Sequence, residues 1–258
     1  MGKNKNQNKL LDKALRLIKV KEFDKAIPVY EAILKIDNMC PQALSHLAII
    51  YLMKERYQEA IDLINKSFEV VEPVIGDYEN LAIAYRALND IKNQIYVYKK
   101  IIKINSNNLE TYKLLGDAQV EVADLVGAHD SYQKALELEP DKFQQIYDYG
   151  LILHIRNSHE EALKHLREAH KIDLNHIECM NKIAGSLSAI GNYEEAKSIY
   201  KKLQKLVPDA LSPYIDFATT LIHEGQYDEP VKLLKELLMK IPHNTNKHDV
   251  AQMNLAML

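Results

Sequence analysis

LLGDAQVEVADLVGAHDSYQKALELEP, from Leu114 to Pro140, reads as two helical patterns folded about a short turn. Its small residue, Gly116, is one of a series: Ala14, Ala48, Ala82, Gly116, Gly150, Ala184 and Ala218 follow one another at intervals of 34 residues. No insertion or deletion interrupts the six intervals. A fixed period in this range marks a stack of repeated supersecondary units, each too small to bury its apolar face alone.

With Gln7 as the first place of unit one, the later units open at Pro41, Ile75, Leu109, Phe143, Ile177 and Leu211. Apolar residues recur at places 4, 7, 8 and 11, the spacing of one buried helix face, as in Met180, Ile183, Ala184 and Leu187. The turn carries a breaker and an aromatic, as in Gly191-Asn192-Tyr193. The second helix holds Ala at place 20 in five units (Ala26, Ala60, Ala128, Ala162, Ala196). Place 24 is aromatic or aliphatic (Tyr30, Ile64, Tyr98, Tyr132, Leu166, Tyr200, Leu234), and Pro140, Pro208 and Pro242 close three units. Two antiparallel helices that approach closely need almost no side chain at places 8 and 20, with bulk on either side.

These residues resemble the tetratricopeptide repeat (TPR), over 7–244 of the chain. The resemblance implies an all-α, right-handed superhelical solenoid of seven 34-residue helix-turn-helix units: 7–40, 41–74, 75–108, 109–142, 143–176, 177–210 and 211–244. Residues 1–6 form a basic polar tail, and 245–258 form a loop and the first helix of a partial eighth unit. Departures are Gln94 and Pro230 at place 20, and bulky Ile33, Ile101, Leu203 and Leu237 at place 27. Pro28 and Pro230 are expected in the first turn or so of second helices, where a missing amide costs least.

Composition narrows the function. A net charge of −3 argues against a general nucleic-acid binder, which carries a basic surplus. The longest apolar run, Leu47 to Met53, is too short for a bilayer, so no membrane insertion is expected. Cys40 and Cys179 stand four units apart, beyond disulfide reach, which fits a reducing, cytoplasmic setting. His165 and His170 diverge by about 140° on one helix and no H-E-x-x-H occurs, so neither a metal nor another cofactor is expected. No phosphate loop, dinucleotide fingerprint or nucleophile elbow occurs. The expectation is a protein that is not an enzyme.

In the family, the face of the first helices opposite the core (places 2, 5, 6, 9, 12 and 13) lines a concave groove. Here it reads as apolar over units one to three, with Leu15, Ile49, Leu52, Met53 and Ile83, beside Asn80 and Arg86. It turns acidic at unit four with Asp117 and Glu121, four residues after Lys113 and eight after it respectively. Asp148, Asn181, Lys182 and Asp216 continue the face. The expected partner is a peptide or helix laying apolar side chains on the first units and a basic residue near Asp117, Glu121 and Asp148. The alternative is an N-terminal recruiting arm of a larger, glycosyltransferase-like enzyme, by analogy with bacterial proteins that carry such arms. The pattern of co-chaperones that hold a carboxylate is absent, because Leu11 and Leu15 replace its first pair.

In the last stretch, Asn254-Leu255-Ala256 echoes Asn80-Leu81-Ala82 and suggests an eighth unit displaced by four residues. Val250, Ala251, Met253, Met257 and Leu258 leave it too apolar for a solvating cap, as Leu10, Leu11 and Ile18 do at the other end. Either the natural chain continues, or a homo-oligomer forms through an apolar terminus.

Overall fold

The structure, a computed structural model, describes residues 2–242 and 245–256. It is an all-α solenoid of helix-turn-helix repeats, with no strand among the described residues. Two compact units divide it after Asp124. The first holds α1 (Gly2–Lys19), α2 (Phe23–Ile36), α3 (Pro41–Met53), α4 (Tyr57–Ser67), α5 (Ile75–Ala87), α6 (Ile91–Ile104) and α7 (Leu109–Glu121). The second holds α8 (Leu125–Leu138), α9 (Phe143–Ile155), α10 (His159–Ile172), α11 (Ile177–Ala189), α12 (Tyr193–Leu206), α13 (Leu211–His223), α14 (Asp228–Lys240) and α15 (Asn246–Ala256). Within each unit every helix packs on the next, and α3 also meets α5, α9 meets α11, α11 meets α13 and α13 meets α15.

The small residues lie at the helix crossings. Ala14, Ala48, Ala184 and Ala218 at place 8 are buried, as are Ala26, Ala60, Ala162 and Ala196 at place 20. At Gly150 the fit is tightest: a Cβ there would stand 3.0 Å from Leu166 Cδ2 and 3.2 Å from the Leu166 backbone nitrogen. Place 24 fills the space beside each crossing, and Tyr30, Leu166 and Tyr200 are completely covered. Burying side chains of this size contributes about 1.5–3 kcal/mol each. The bulky place-27 residues Ile33, Leu203 and Leu237 are equally buried, so they extend the core.

The turn inside each repeat has one geometry throughout. Place 15 lies in the left-handed region seven times: Lys21 (φ 59°), Glu55 (60°), Asn89 (55°), Ala123 (58°), Asn157 (61°), Gly191 (80°) and Gly225 (90°). A paired set of hydrogen bonds accompanies it, as in Arg56 N to Tyr51 O at 2.8 Å and Glu55 N to Leu52 O at 3.1 Å. This is the Schellman closure of a helix C-terminus, which normally takes Gly. Only the last two repeats use it. At six of the seven junctions after a repeat the chain turns in one of two ways, the exception being the one after α4, which ends early at Ser67. Asp37, Asn105 and Asp173 at place 31 accept a hydrogen bond from the backbone two residues on, at 3.0–3.2 Å. Pro140, Pro208 and Pro242 stop the helix elsewhere.

Three local expectations change. Pro28 is the sixth residue of α2, beyond the first four orphan amides, so it removes a ladder hydrogen bond that the first turn would not have made. The polar stretch before Gln7 is already helical from Gly2. In α15 the covered residues are His248 and Ala251, while Ala256 is exposed. The burial in α15 thus centres on Ala251 and not on the Ala256 that a four-residue displacement would put inward. Met1, Met257 and Leu258 lie outside the described residues.

A left-handed conformation costs a side-chain-bearing residue about 1–2 kcal/mol, against about 0.4–1 kcal/mol for the extra freedom glycine gives the unfolded chain. Lys21→Gly and Glu55→Gly should therefore each raise stability by about 0.5–1 kcal/mol in urea unfolding. Gly150→Val should lower it by about 1–3 kcal/mol, through overpacking against Leu166.

Candidate functional site

In the first unit, the face of the first helices turned away from the second helices carries a row of uncovered apolar side chains. Leu15 is 38%, Ile49 42%, Met53 58% and Ile83 45% exposed. They stand on α1, α3, α3 and α5, and three of them repeat at place 9. Leu52 behaves differently: it packs against both core clusters of this unit and is half-buried. Being at place 12, it leans onto the neighbouring repeat.

Asn80 is half-buried and Arg86 exposed. Beside Ile83 and Arg86 a cavity of about 290 Å³ opens between α5 and α7, floored by Ala82, Tyr98 and Ile101. Asp117 and Glu121 are exposed on α7, and Lys113 Nζ lies 3.5 Å from Glu110.

In the second unit the same face still exposes Ile155 (40%), but beside it stand polar groups that brace one first helix to the next. Asp148 on α9 accepts a hydrogen bond from Gln144 at 2.7 Å. Asn181 on α11 is 6% exposed and donates through Nδ2 to Asp216 Oδ2 (2.6 Å) and Ser212 Oγ (3.0 Å), both on α13. That contact fixes the amide orientation, because a flipped amide would set oxygen against the Asp216 carboxylate. It leaves Asn181 Oδ1 buried without a donor. A buried acceptor left unmet costs about 1–3 kcal/mol.

A cavity of about 160 Å³ lies beside this brace, between α9, α11 and α13 and over Tyr200 of α12. Asn181, Lys182 and Asp216, all expected on this face, line it. So do His154 and Gly185, which the pattern of places did not single out. Gly185 is the one glycine at place 9, mid-helix, where it costs about 1 kcal/mol relative to alanine. The His154 ring occupies the room: a Cβ on Gly185 would stand 3.3 Å from His154 Cε1. His154 Nδ1 and Ser186 Oγ are 2.8 Å apart, a second brace between first helices. Burial pushes the His154 imidazole down to about 4, with Lys182 and His159 adding to the effect and Asp216 opposing it.

Three other histidines serve packing and hydrogen bonding. His46 pairs with Tyr30 at 3.0 Å, and His129 with Tyr149 at 3.0 Å. His176 Nδ1 caps α11 by accepting from Cys179 N at 3.1 Å. Among the described residues no three His, Cys, Asp or Glu side chains gather as a metal's ligands would. Cys40 and Cys179 are free and buried, and burial pushes the Cys179 thiol up to about 11. No helix among the described residues is long and apolar enough to cross a membrane.

The lowered His154 value sets a pH dependence. The unfolded chain takes up this proton near the ordinary value of 6.5 and the folded chain only near 4. Stability from this group is therefore present above 6.5 and is lost as pH falls toward 4. A shift of this size corresponds to roughly 3 kcal/mol at most. Solvent screening at a partly open site reduces that to about 1–2 kcal/mol. His154→Gln should remove that part of the acid sensitivity when urea unfolding is compared at pH 7 and pH 4.5.

Comparison with known proteins places this geometry. Three tetratricopeptide repeat models match residues 11–67, 78–108 and 178–210, and the last two end on the 34-residue beat. A TPR repeat-containing protein of Methanocaldococcus jannaschii is 25% identical over 88% of this chain and 42% of its own length. The N-terminal acetyltransferase A complex auxiliary subunit NAA15 of Arabidopsis thaliana is 24% identical over 90% of this chain and 27% of its own. The chain thus spans less than half the length of these relatives. Among solved structures, YrrB, a TPR protein with an unusual peptide-binding site, superposes with a TM-score of 0.55 at 22% identity. That match covers 66% of this chain and 88% of YrrB. With the helix pairs, the small-residue crossings and two of the three family matches on one beat, the chain carries tetratricopeptide repeats.

Proposed function

We propose that this chain is a protein-interaction scaffold, without catalysis of its own, that receives a segment of a partner along its first helices. The observation that carries the reading is the row of Leu15, Ile49, Met53 and Ile83. These are apolar side chains left exposed on one face at repeat spacing. An uncovered apolar strip of this kind marks a contact surface. A short helix or extended segment can set alternate apolar side chains on it, and a basic side chain of the same segment meets Asp117 and Glu121 on α7. The peptide-binding site of YrrB, on the same fold, supports the reading.

A second reading rests on the relatives' lengths. NAA15 is the auxiliary subunit of an acetyltransferase complex, and this chain matches 27% of it. A scaffold of this kind can serve as the recruiting arm of an enzyme, as the glycosyltransferase analogy supposes. The two readings share the groove and differ in what is joined to it.

Affinity purification from the source cells, with identification of the bound proteins, supplies the partner. Ile49→Asp combined with Met53→Asp should then reduce its capture by about tenfold or more, while helicity by circular dichroism is unchanged. Undiminished capture by the folded double variant would remove the groove reading. A partner that is an enzyme, or is fused to one, selects the second reading.

A further inference from the structure

We infer that the cavity between α9, α11 and α13 receives a side-chain carboxamide, that of a glutamine or asparagine, from a partner protein. The inference rests on the scaffold reading for the source of that residue, but the chemistry of the cavity stands on its own geometry. At about 160 Å³ the cavity is small. Sites for drug-sized molecules run to about 300–1,000 Å³, so this one suits a single side chain.

Its polar groups come in complementary pairs. Lys182 Nζ makes no hydrogen bond or ion pair among the described residues. Asp216 uses Oδ2 for both Asn181 and Ser212, which leaves Oδ1 for a ligand. Ser186 is completely buried, and its Oγ lies 2.8 Å from His154 Nδ1. That contact engages Nδ1 and leaves Nε2 as the polar atom of the ring without a protein partner. Burial keeps that ring neutral at ordinary pH.

Lys182 and Asp216 both act on His154 electrostatically, with opposite sign. Their formal charges cancel. A carboxylate would be drawn to Lys182 and repelled by Asp216, and an ammonium the reverse. A carboxamide meets neither penalty. Its oxygen accepts from Lys182, and its NH2 donates to Asp216 Oδ1. The two braces, His154 to Ser186 and Asn181 to α13, hold these groups in place before a ligand arrives. Gly185 supplies the space, since any larger residue at place 9 would stand against the His154 ring.

The test uses blocked single residues, each an N-acetyl, N-methylamide derivative, titrated into the full chain labelled with nitrogen-15. The backbone amides of Gly185 and Ser186 are followed by NMR. Glutamine or asparagine should give saturable shifts there, with apparent affinity about tenfold above glutamate and lysine. Alanine, which offers only main-chain amides, should give none. Gly185→Val, checked for helicity, should lose the response. Equal or tighter binding of glutamate or lysine overturns the inference, as does an equal response to alanine. No saturable shift with either carboxamide also overturns it, and so does a folded Gly185→Val that still responds. No partner protein is present in this titration. A failure of the groove reading, seen as undiminished capture by the Ile49 and Met53 variant, is thus separate from a failure of the cavity.

Discussion

The close approach of two helices at each repeat is the constraint on which the rest depends. Backbones can come that near only where place 8 and place 20 carry a methyl group or nothing. Gly150 against Leu166 shows the margin, since a single Cβ would arrive at 3.0 Å. Once the pair is closed, place 24 has a pocket to fill, and the outer face of the first helix is left over. The proposed binding surface is what the packing does not use. Its residues are free to vary without cost to the fold, and so the same scaffold offers an apolar face at Ile49 and a polar one at Asn181.

The two units spend that freedom differently. In the first, side chains such as Ile49 and Ile83 remain exposed, and the space between α5 and α7 is open. In the second, polar groups on the same face reach across to the next first helix, as Asn181 does to Ser212 and Asp216. The apolar row offers area with little discrimination. The braced cavity offers fixed donors and acceptors, which reject a ligand that leaves them unpaired. On the proposed reading, the first unit contributes affinity and the second selectivity.

Most of the fold could be read from spacing because the period encodes packing directly. Helix positions, the crossings at Ala48 or Ala196 and the buried Tyr30 and Tyr200 all follow from it. The left-handed turn residue could not be read in the same way. Lys21, Glu55 and Ala123 are poor residues for that conformation, and only their neighbours' hydrogen bonds hold them there. On the candidate surface, Leu15, Ile49, Met53 and Ile83 were legible as outward places of a wheel. Leu52 was not, since its burial depends on the adjacent repeat. His154 was missed for a related reason: its role arises from Gly185 on the next first helix, a coincidence that no single-helix pattern contains. The glycine itself was the available signal. In α15 the echo of Asn80-Leu81-Ala82 misled, because sequence likeness alone did not say which alanine meets the neighbouring helix.

The polar braces have a mechanical side. Apolar contacts such as those of α3 with α5 have no preferred direction, so the helices can slide by a fraction of an ångström with little change in energy. A hydrogen bond such as Asn181 to Asp216 at 2.6 Å is directional and short-ranged, and resists the same slip. Contacts between first helices are therefore the more compliant ones in the first unit and the stiffer ones in the second, where α9, α11 and α13 are tied to one another. A segment seated across α3 and α5 can shift one against the other, whereas one seated across α11 and α13 meets helices already locked.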